Sequence, residues 1–490
     1  MTARGSSAEV IDPSVAHVVT AQGAGARQAV GADPVADATP AEFAPVQGAS
    51  GRGLAARKNR ADAVSTFAAL KVRNYRLFFS GQVVSNTGTW MQRIAQDWLV
   101  LSITNSPVAV GITTALQFLP MLLFGLWGGV IADRYSKRTL LLATQSVMGA
   151  FAAVLAILTL AGHVQVWQVY AAAFGLGLAS VIDTPTRQTF VNEMVPPHLV
   201  RNAVGLNTGN FQLARMIGPA VAGVLISLIG AGWAFAFNAA SYLAVIAGLA
   251  LMHTADLVVV PHAPRKRGQV REGLAYVRAR PLLLWIVVLV FFIGTFGYNF
   301  AITLSAYAKN VFNSGADVYG LLNTVLALGS VIGALLAARR AQARMGFMFA
   351  TAAGFGAMLL ISGLIGWIVP FALALVLTGL LSVSFNTVAN ATVQLSTDPE
   401  MRGRVMSLYM LVFAGGTPIG SPIVGWVTER WGAPTAMVAT GAICLFAAIG
   451  CAVLAARQSG VSLHLDLHRG ADRHVVLVRS PEPTTSSAAA

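Results

Sequence analysis

Five ionisable side chains interrupt stretches that are otherwise apolar: Arg93 and Asp97, Asp183 and Arg187, and Arg215. Residues four apart lie on one face of an α-helix, so Arg93 with Asp97 and Asp183 with Arg187 are each placed to pair. A carboxylate away from water and beside a guanidinium is pulled two ways, since desolvation favours the acid and the cation favours the anion. A conformational change that tips this balance would load and release a proton. Mutual neutralisation inside the fold is the competing role, and spacing alone leaves both open.

Such pairs need elements that hold them out of water. The chain has 490 residues, 56% apolar and 11% charged, against roughly 25% charged in an ordinary soluble domain. Apolar runs of about 20 residues can cross a hydrocarbon core of about 30 Å. Twelve of them follow one another from 77–102 to 433–456, which predicts an all-α integral membrane protein. Residues 1–70 lack a sustained period and the basic and apolar regions of a secretory signal, so a disordered cytoplasmic lead is expected. Six helices over 71–252 and six over 282–456 flank a linker, 253–281, whose Val270–Arg278 stretch is amphipathic and predicted to lie at the membrane interface. The polar tail, 457–490, is expected to be disordered and cytoplasmic.

The net charge of +14 would suggest nucleic acid in a soluble protein. Here the cations sit in short loops. The loops on the side of the termini carry 22 Lys and Arg, and the opposite loops hold only Lys309 and Arg430. Basic residues are retained in the cytoplasm, so both termini are expected there and the number of spans is even. An internal repeat appears at a shift of 202 residues, pairing Gly177 with Gly379, Ser180 with Ser382, Pro197 with Pro399, Gly218 with Gly420 and Gly223 with Gly425. Two pseudo-symmetric six-helix bundles follow.

Between the second and third predicted helices stands Gly128-Gly129-Val-Ile-Ala-Asp133-Arg134-Tyr-Ser136-Lys137-Arg138. It resembles the major facilitator signature Gly-x-x-x-Asp-Arg-x-Gly-x-Arg/Lys, with Ser136 where that family has Gly. Gly129 would admit a neighbouring helix, Asp133 would face a helix N-terminus, and Arg134, Lys137 and Arg138 would pair with acids or lipid phosphates, together latching one conformation of the two halves. Ala214-Arg215-Met-Ile-Gly218-Pro219-Ala-Val-Ala222-Gly223 is similar to the antiporter signature of proton-coupled exporters, with alanine replacing two glycines. Gly218, Pro219 and Gly223 would let this helix bend and pack closely as a seal. Residues 67–252 resemble the exporter branch that includes enterobactin and macrolide efflux proteins, the likeness continuing more loosely to about 455. The resemblance implies the major facilitator fold and proton-driven efflux of a small organic molecule. One drug-antiporter feature is missing, since Ala171 or Ala173 stands where an arginine is expected.

Counting about 1.5 Å per residue sets Asp183 and Arg215 near mid-membrane and Arg93 and Asp97 in the outer half. All five charges fall in the first half, and the second offers uncharged candidates: Asn299, Asn323, Asn386, Asn390 and Gln394. Proton handling by the first half and substrate contact by the second is the expected division, with Asp183 the leading carboxylate and Asp97 the alternate. Trp90, Trp98, Trp127, Phe118, Phe291, Phe296 and Tyr298 are candidates for an amphipathic cavity wall or for interface anchors. His163 and His198 show no metal-ligand spacing, no phosphate-binding glycine loop is present, and Cys444 and Cys451 are too far apart on one helix for a disulfide. The expectation is a monomeric transporter without cofactor or metal, in contact with lipids, protons and a small organic substrate. A facilitator or uptake carrier is the alternative, a non-transporting receptor a more remote one, and an enzyme is excluded for want of a nucleophile and base.

Overall fold

The computed structural model describes residues 65–257, 269–338, 345–458, 461–463 and 477–479. The expected lead up to residue 64, the basic run of the linker and most of the tail lie outside the described residues. The first six helices are α1 (Arg73–Thr104), α2 (Pro107–Arg134), α3 (Lys137–Leu160), α4 (Val166–Met194), α5 (Val200–Ile229) and α6 (Ala231–Ala250). The linker helix α7 (Gln269–Arg278) precedes α8 (Pro281–Val311), α9 (Ala316–Ala338), α10 (Met345–Gly363), α11 (Ile368–Leu395), α12 (Arg402–Gly415) and α13 (Thr417–Gln458). In the tail, Val461–Leu463 and Leu477–Arg479 pair as short antiparallel strands.

Local sequence sets the helix ends. Ser106 accepts a bond from the Ala109 N–H (3.3 Å) and Pro107 takes the first helical position of α2. Ser136 accepts from the Thr139 N–H and caps α3, so serine at this point of the signature starts the next helix. Gly432 (φ +86) reverses the chain inside α13, in the left-handed region that only glycine enters without strain.

Among the described residues, ten segments are long and apolar enough to cross a membrane. One of them, Arg402–Gln458, spans 57 residues and is divided at Gly432. Helix α1, at 32 residues, is long enough but is polar on its buried face, where Gln82, Asn86, Gln92, Gln96 and Asp97 lie. Division at Gly432 makes eleven such segments among the described residues, and α1 has the length of a further one. Below, the end of the molecule holding Arg73 and Gln458 is called terminal, and the other distal.

Helices α1, α5 and α6 pack together, with α3 joining α4 and α6, and α2 lying on α4; in the second bundle α9 packs on α11, and α10 on α11 and α13. The repeated glycines mark equivalent crossings. Gly177 brings α4 against the Gln117 carbonyl of α2, and Gly379 brings α11 against the Leu326 carbonyl of α9. Between the bundles, a Cβ on Gly223 would stand 3.0 Å from the Ala316 carbonyl at the start of α9, and one on Gly425 would stand 2.8 Å from the Pro107 carbonyl at the start of α2. Residues 202 apart thus make the same contact across the pseudo-twofold.

Helix α8 departs from regularity through π turns at Ile293–Gly297 and Tyr307–Val311. At the first, the Asn299 amide donates to the carbonyls of Thr295 (2.7 Å) and Phe296 (3.2 Å). The linker helix is braced on the second bundle. Glu272 pairs with Arg404 (2.5 Å), Arg280 pairs with Asp398 (2.8 Å), and the Arg280 guanidinium lies 3.9 Å from the centre of the Tyr276 ring.

Candidate functional site: a cavity between the bundles

Helices α1, α2 and α5 of the first bundle and α8, α9 and α11 of the second enclose a cavity of about 500 Å³. Its charged residues are Arg93, Asp97 and Arg215, all from the first bundle, and Asn323 and Asn386 face them from the second. The hydroxyl of Tyr319 on α9 donates to Asp97 Oδ2 across the bundle interface (3.1 Å). Tyr319 also stacks on Trp98, with ring centres 6.1 Å apart. Although Arg93 and Asp97 share a helix face, no ion pair forms between them within 4.0 Å. The Arg93 guanidinium lies over the rings of Trp90 (4.9 Å) and Phe118 (5.9 Å), and Arg215 lies 5.8 Å from the same Trp90 ring.

The second pair is elsewhere. Asp183 is buried inside the first bundle, outside the cavity lining. Its Oδ1 accepts from the Thr144 hydroxyl (3.0 Å) and the Gln145 amide (2.7 Å) of α3, and Oδ2 pairs with Arg187. Arg187 also donates to Gln82 (2.9 Å) and Asn86 (3.2 Å) of α1. The pair therefore ties three helices of one bundle together.

The signature residues divide in the same way. Beside Gly129, Gly128 makes a close approach, since a Cβ there would collide with Val181 of α4. Asp133 and Arg134 end α2, where Asp133 is half-buried and Arg134 exposed. Lys137 pairs with Glu193 of α4, while Arg138 donates to the carbonyls of Leu249 (2.7 Å) and Ala250 (3.1 Å) at the end of α6. Cations at C-terminal carbonyls satisfy otherwise unpaired acceptors. The contacts of both cations lie within the first bundle.

In the antiporter-like stretch, Gly218 admits Trp90 of α1, the Pro219 carbonyl faces Gly320, and Gly223 meets the first turn of α9. Pro219 and Gly223 thus lie at the seam between the bundles. Further distal contacts cross that seam. Glu429 accepts from the Ser106 hydroxyl and the Val108 N–H (3.2 Å), and Lys309 donates to the Leu101 carbonyl (3.0 Å).

Of the second-half candidates only Asn323 and Asn386 line the cavity. The Asn299 nitrogen donates to the backbone of α8 while its buried oxygen has no partner among the described residues, and Gln394 donates to Asn390 (2.6 Å) at an exposed surface. Trp90, Phe118 and Tyr298 line the wall; Trp98 supports it through Tyr319, and Trp127 is exposed. Sequence reasoning missed Tyr319 and Gln117, both of which line the cavity and neither of which any motif marks.

Two bundles related by an internal repeat, with a polar cavity at their seam, define a major facilitator transporter, a class that carries solutes and is not enzymatic. Residues 64–464 match the family described as transmembrane secretion effector, and the chain belongs to it. It is 25% identical over 362 residues to the staphyloferrin A transporter of Staphylococcus aureus, covering 73% of this chain and 90% of that one. Macrolide efflux protein A of Streptococcus pyogenes is 24% identical over 405 residues, covering 78% and 97%. The fold is also that of a bacterial homologue of the human lysosomal transporter Spinster, with a TM-score of 0.64 at 14% identity, covering 78% of this chain and 97% of that one.

Proposed function

We propose that this protein exports a small organic molecule across the cell membrane in exchange for protons, by alternating exposure of the central cavity. Siderophores and macrolides, named for its relatives, mark the range of cargo. The charge distribution of the loops supports cytoplasmic termini, so the distal seam faces outside. Closure of that seam by Gly223, Gly320 and Glu429 then corresponds to a state shut to the exterior. Asp133 is assigned the latch at the cytoplasmic end, where the opposite state would close. The protein is proposed to work as a monomer.

The observation that carries the proposal is Asp97, a buried carboxylate in the cavity wall bonded to Tyr319 of the other bundle. A group so placed senses both the proton and the relation of the bundles, whereas Asp183 has its bonds within one bundle. Asp97 is therefore assigned the proton, and Asp183 with Arg187 the integrity of the first bundle. The test is a solute panel with purified protein in sealed vesicles carrying an imposed pH gradient. Wild type should accumulate at least one solute only while the gradient lasts, and Asp97→Asn should abolish accumulation without lowering protein level. Equal movement with and without a gradient would make the protein a facilitator.

A further inference from the structure

Two arginines of the first bundle have several partners each. Arg187 has a carboxylate and two side-chain amides, and Arg138 has two backbone carbonyls. Arg93 and Arg215 are different. Both project into the central cavity over one indole, Trp90, close enough to repel each other, and neither has a hydrogen bond or an ion pair among the described residues. The only acid of the lining, Asp97, is committed to Tyr319 and lies beyond ion-pair distance of Arg93.

We propose that Arg93 and Arg215 form a fork for an acidic group of the cargo, seated over Trp90, so that the substrate class is an organic anion with a planar apolar body. The inference rests on the transport reading and narrows its cargo. Guanidinium offers planar paired donors that match a carboxylate or sulfonate, and such charge-assisted bonds are about twice as strong as neutral ones. With Asp97 ionised the lining is still cationic by one charge, so a cationic solute meets net repulsion and a neutral one leaves the two guanidiniums facing each other. The apolar part of the cargo would lie against Trp90 and Phe118, while Asn323 and Asn386 opposite can donate or accept without selecting charge. The proton stays with Asp97 and the cargo with the arginines, on separate groups of one cavity.

The test uses the full-length purified protein in lipid nanodiscs and three ring-matched probes, 2-naphthoate, 2-naphthamide and 2-naphthylmethylammonium, with binding read by equilibrium dialysis. The acid should bind about tenfold or more tighter than the amide, as expected for an added charge-assisted bond, and the ammonium weakest. Arg93→Gln and Arg215→Gln should each remove most of that preference by weakening the acid far more than the amide, and the lysine variants should keep part of it. Where a glutamine variant fails a thermal-unfolding control, its lysine counterpart is read instead and should still bind the acid more weakly than wild type. Equal wild-type affinity for acid and amide, or acid affinity unmoved by substitution at both arginines, would overturn the proposal. Failure of the two readings is separable. Acid-selective binding without gradient-driven transport contradicts the exporter alone, and gradient-driven movement of the amide without preference for the acid contradicts the anion fork alone.

Discussion

Asp97 and Asp183 are both buried acids four residues from an arginine on one helix, yet their surroundings give them different work. Asp183 has every oxygen bonded, and Asp183→Asn would leave the Arg187 guanidinium without its carboxylate in a nearly water-free bundle. Because Arg187 retains Gln82, Asn86 and some exposure, the cost should fall at the low end for a broken buried pair, about 3 kcal/mol. Denaturant unfolding in detergent should show that loss, and the double variant Asp183→Asn with Arg187→Gln should recover most of it. A single variant of wild-type stability that cannot accumulate solute would return the proton to Asp183. Although the same spacing at Arg93 and Asp97 produces no ion pair, the five charges and the Asp183–Arg187 pair are legible in the sequence, because i, i+4 spacing is a local property. Which pair faces the cavity is not, since Thr144 and Gln145 stand 39 and 38 residues from Asp183 and only the packing of α3 on α4 joins them. Tyr319 was hidden for a related reason, as a phenol in an apolar run is ordinarily part of the packing.

At the scale of elements, close helix crossings at glycine set what can move. A Cβ on Gly320 would stand 2.5 Å from the Pro219 carbonyl, a backbone atom, and 2.8 Å from the Cα of Gly223. Gly320→Ala must therefore push α5 and α9 apart at the distal seam, favouring the state open on that side. Spin labels on the distal ends of the two helices should report a longer distance in a larger fraction of molecules. Wild-type distances with wild-type transport would mean that the seam is not the outer gate. The helices themselves were readable from apolar runs and caps, including the chain reversal after Arg430. The π turns of α8 were not, because a widened turn uses the same apolar residues as a regular one and is imposed by tertiary packing, here the approach of Gly420 to the Thr295 backbone. The use of the Asn299 nitrogen at the break was hidden for the same reason.

For the whole molecule, the repeat and the alternation of loop charge are both legible in the sequence, since each is carried by residue type at fixed spacing. The placement of the polar face of α1 is not, because hydropathy averages around a helix and that face is turned inward. Orientation gives a direct prediction: a reporter after Ala68 and one after Gln458 should both score as cytoplasmic, and one between Gly162 and Gln165 as external. A cytoplasmic score at the last position would invert the assignment of the gates. The central claim is that cargo and protons pass in opposite directions through one cavity controlled by Asp97. Its most direct test is simultaneous recording of luminal pH and solute content in sealed vesicles, with a solute gradient imposed and no initial pH difference. The account predicts that solute running down its gradient drives protons the opposite way in wild type and moves none in Asp97→Asn. Solute flux with no proton movement in wild type, or with protons travelling alongside the solute, would contradict it.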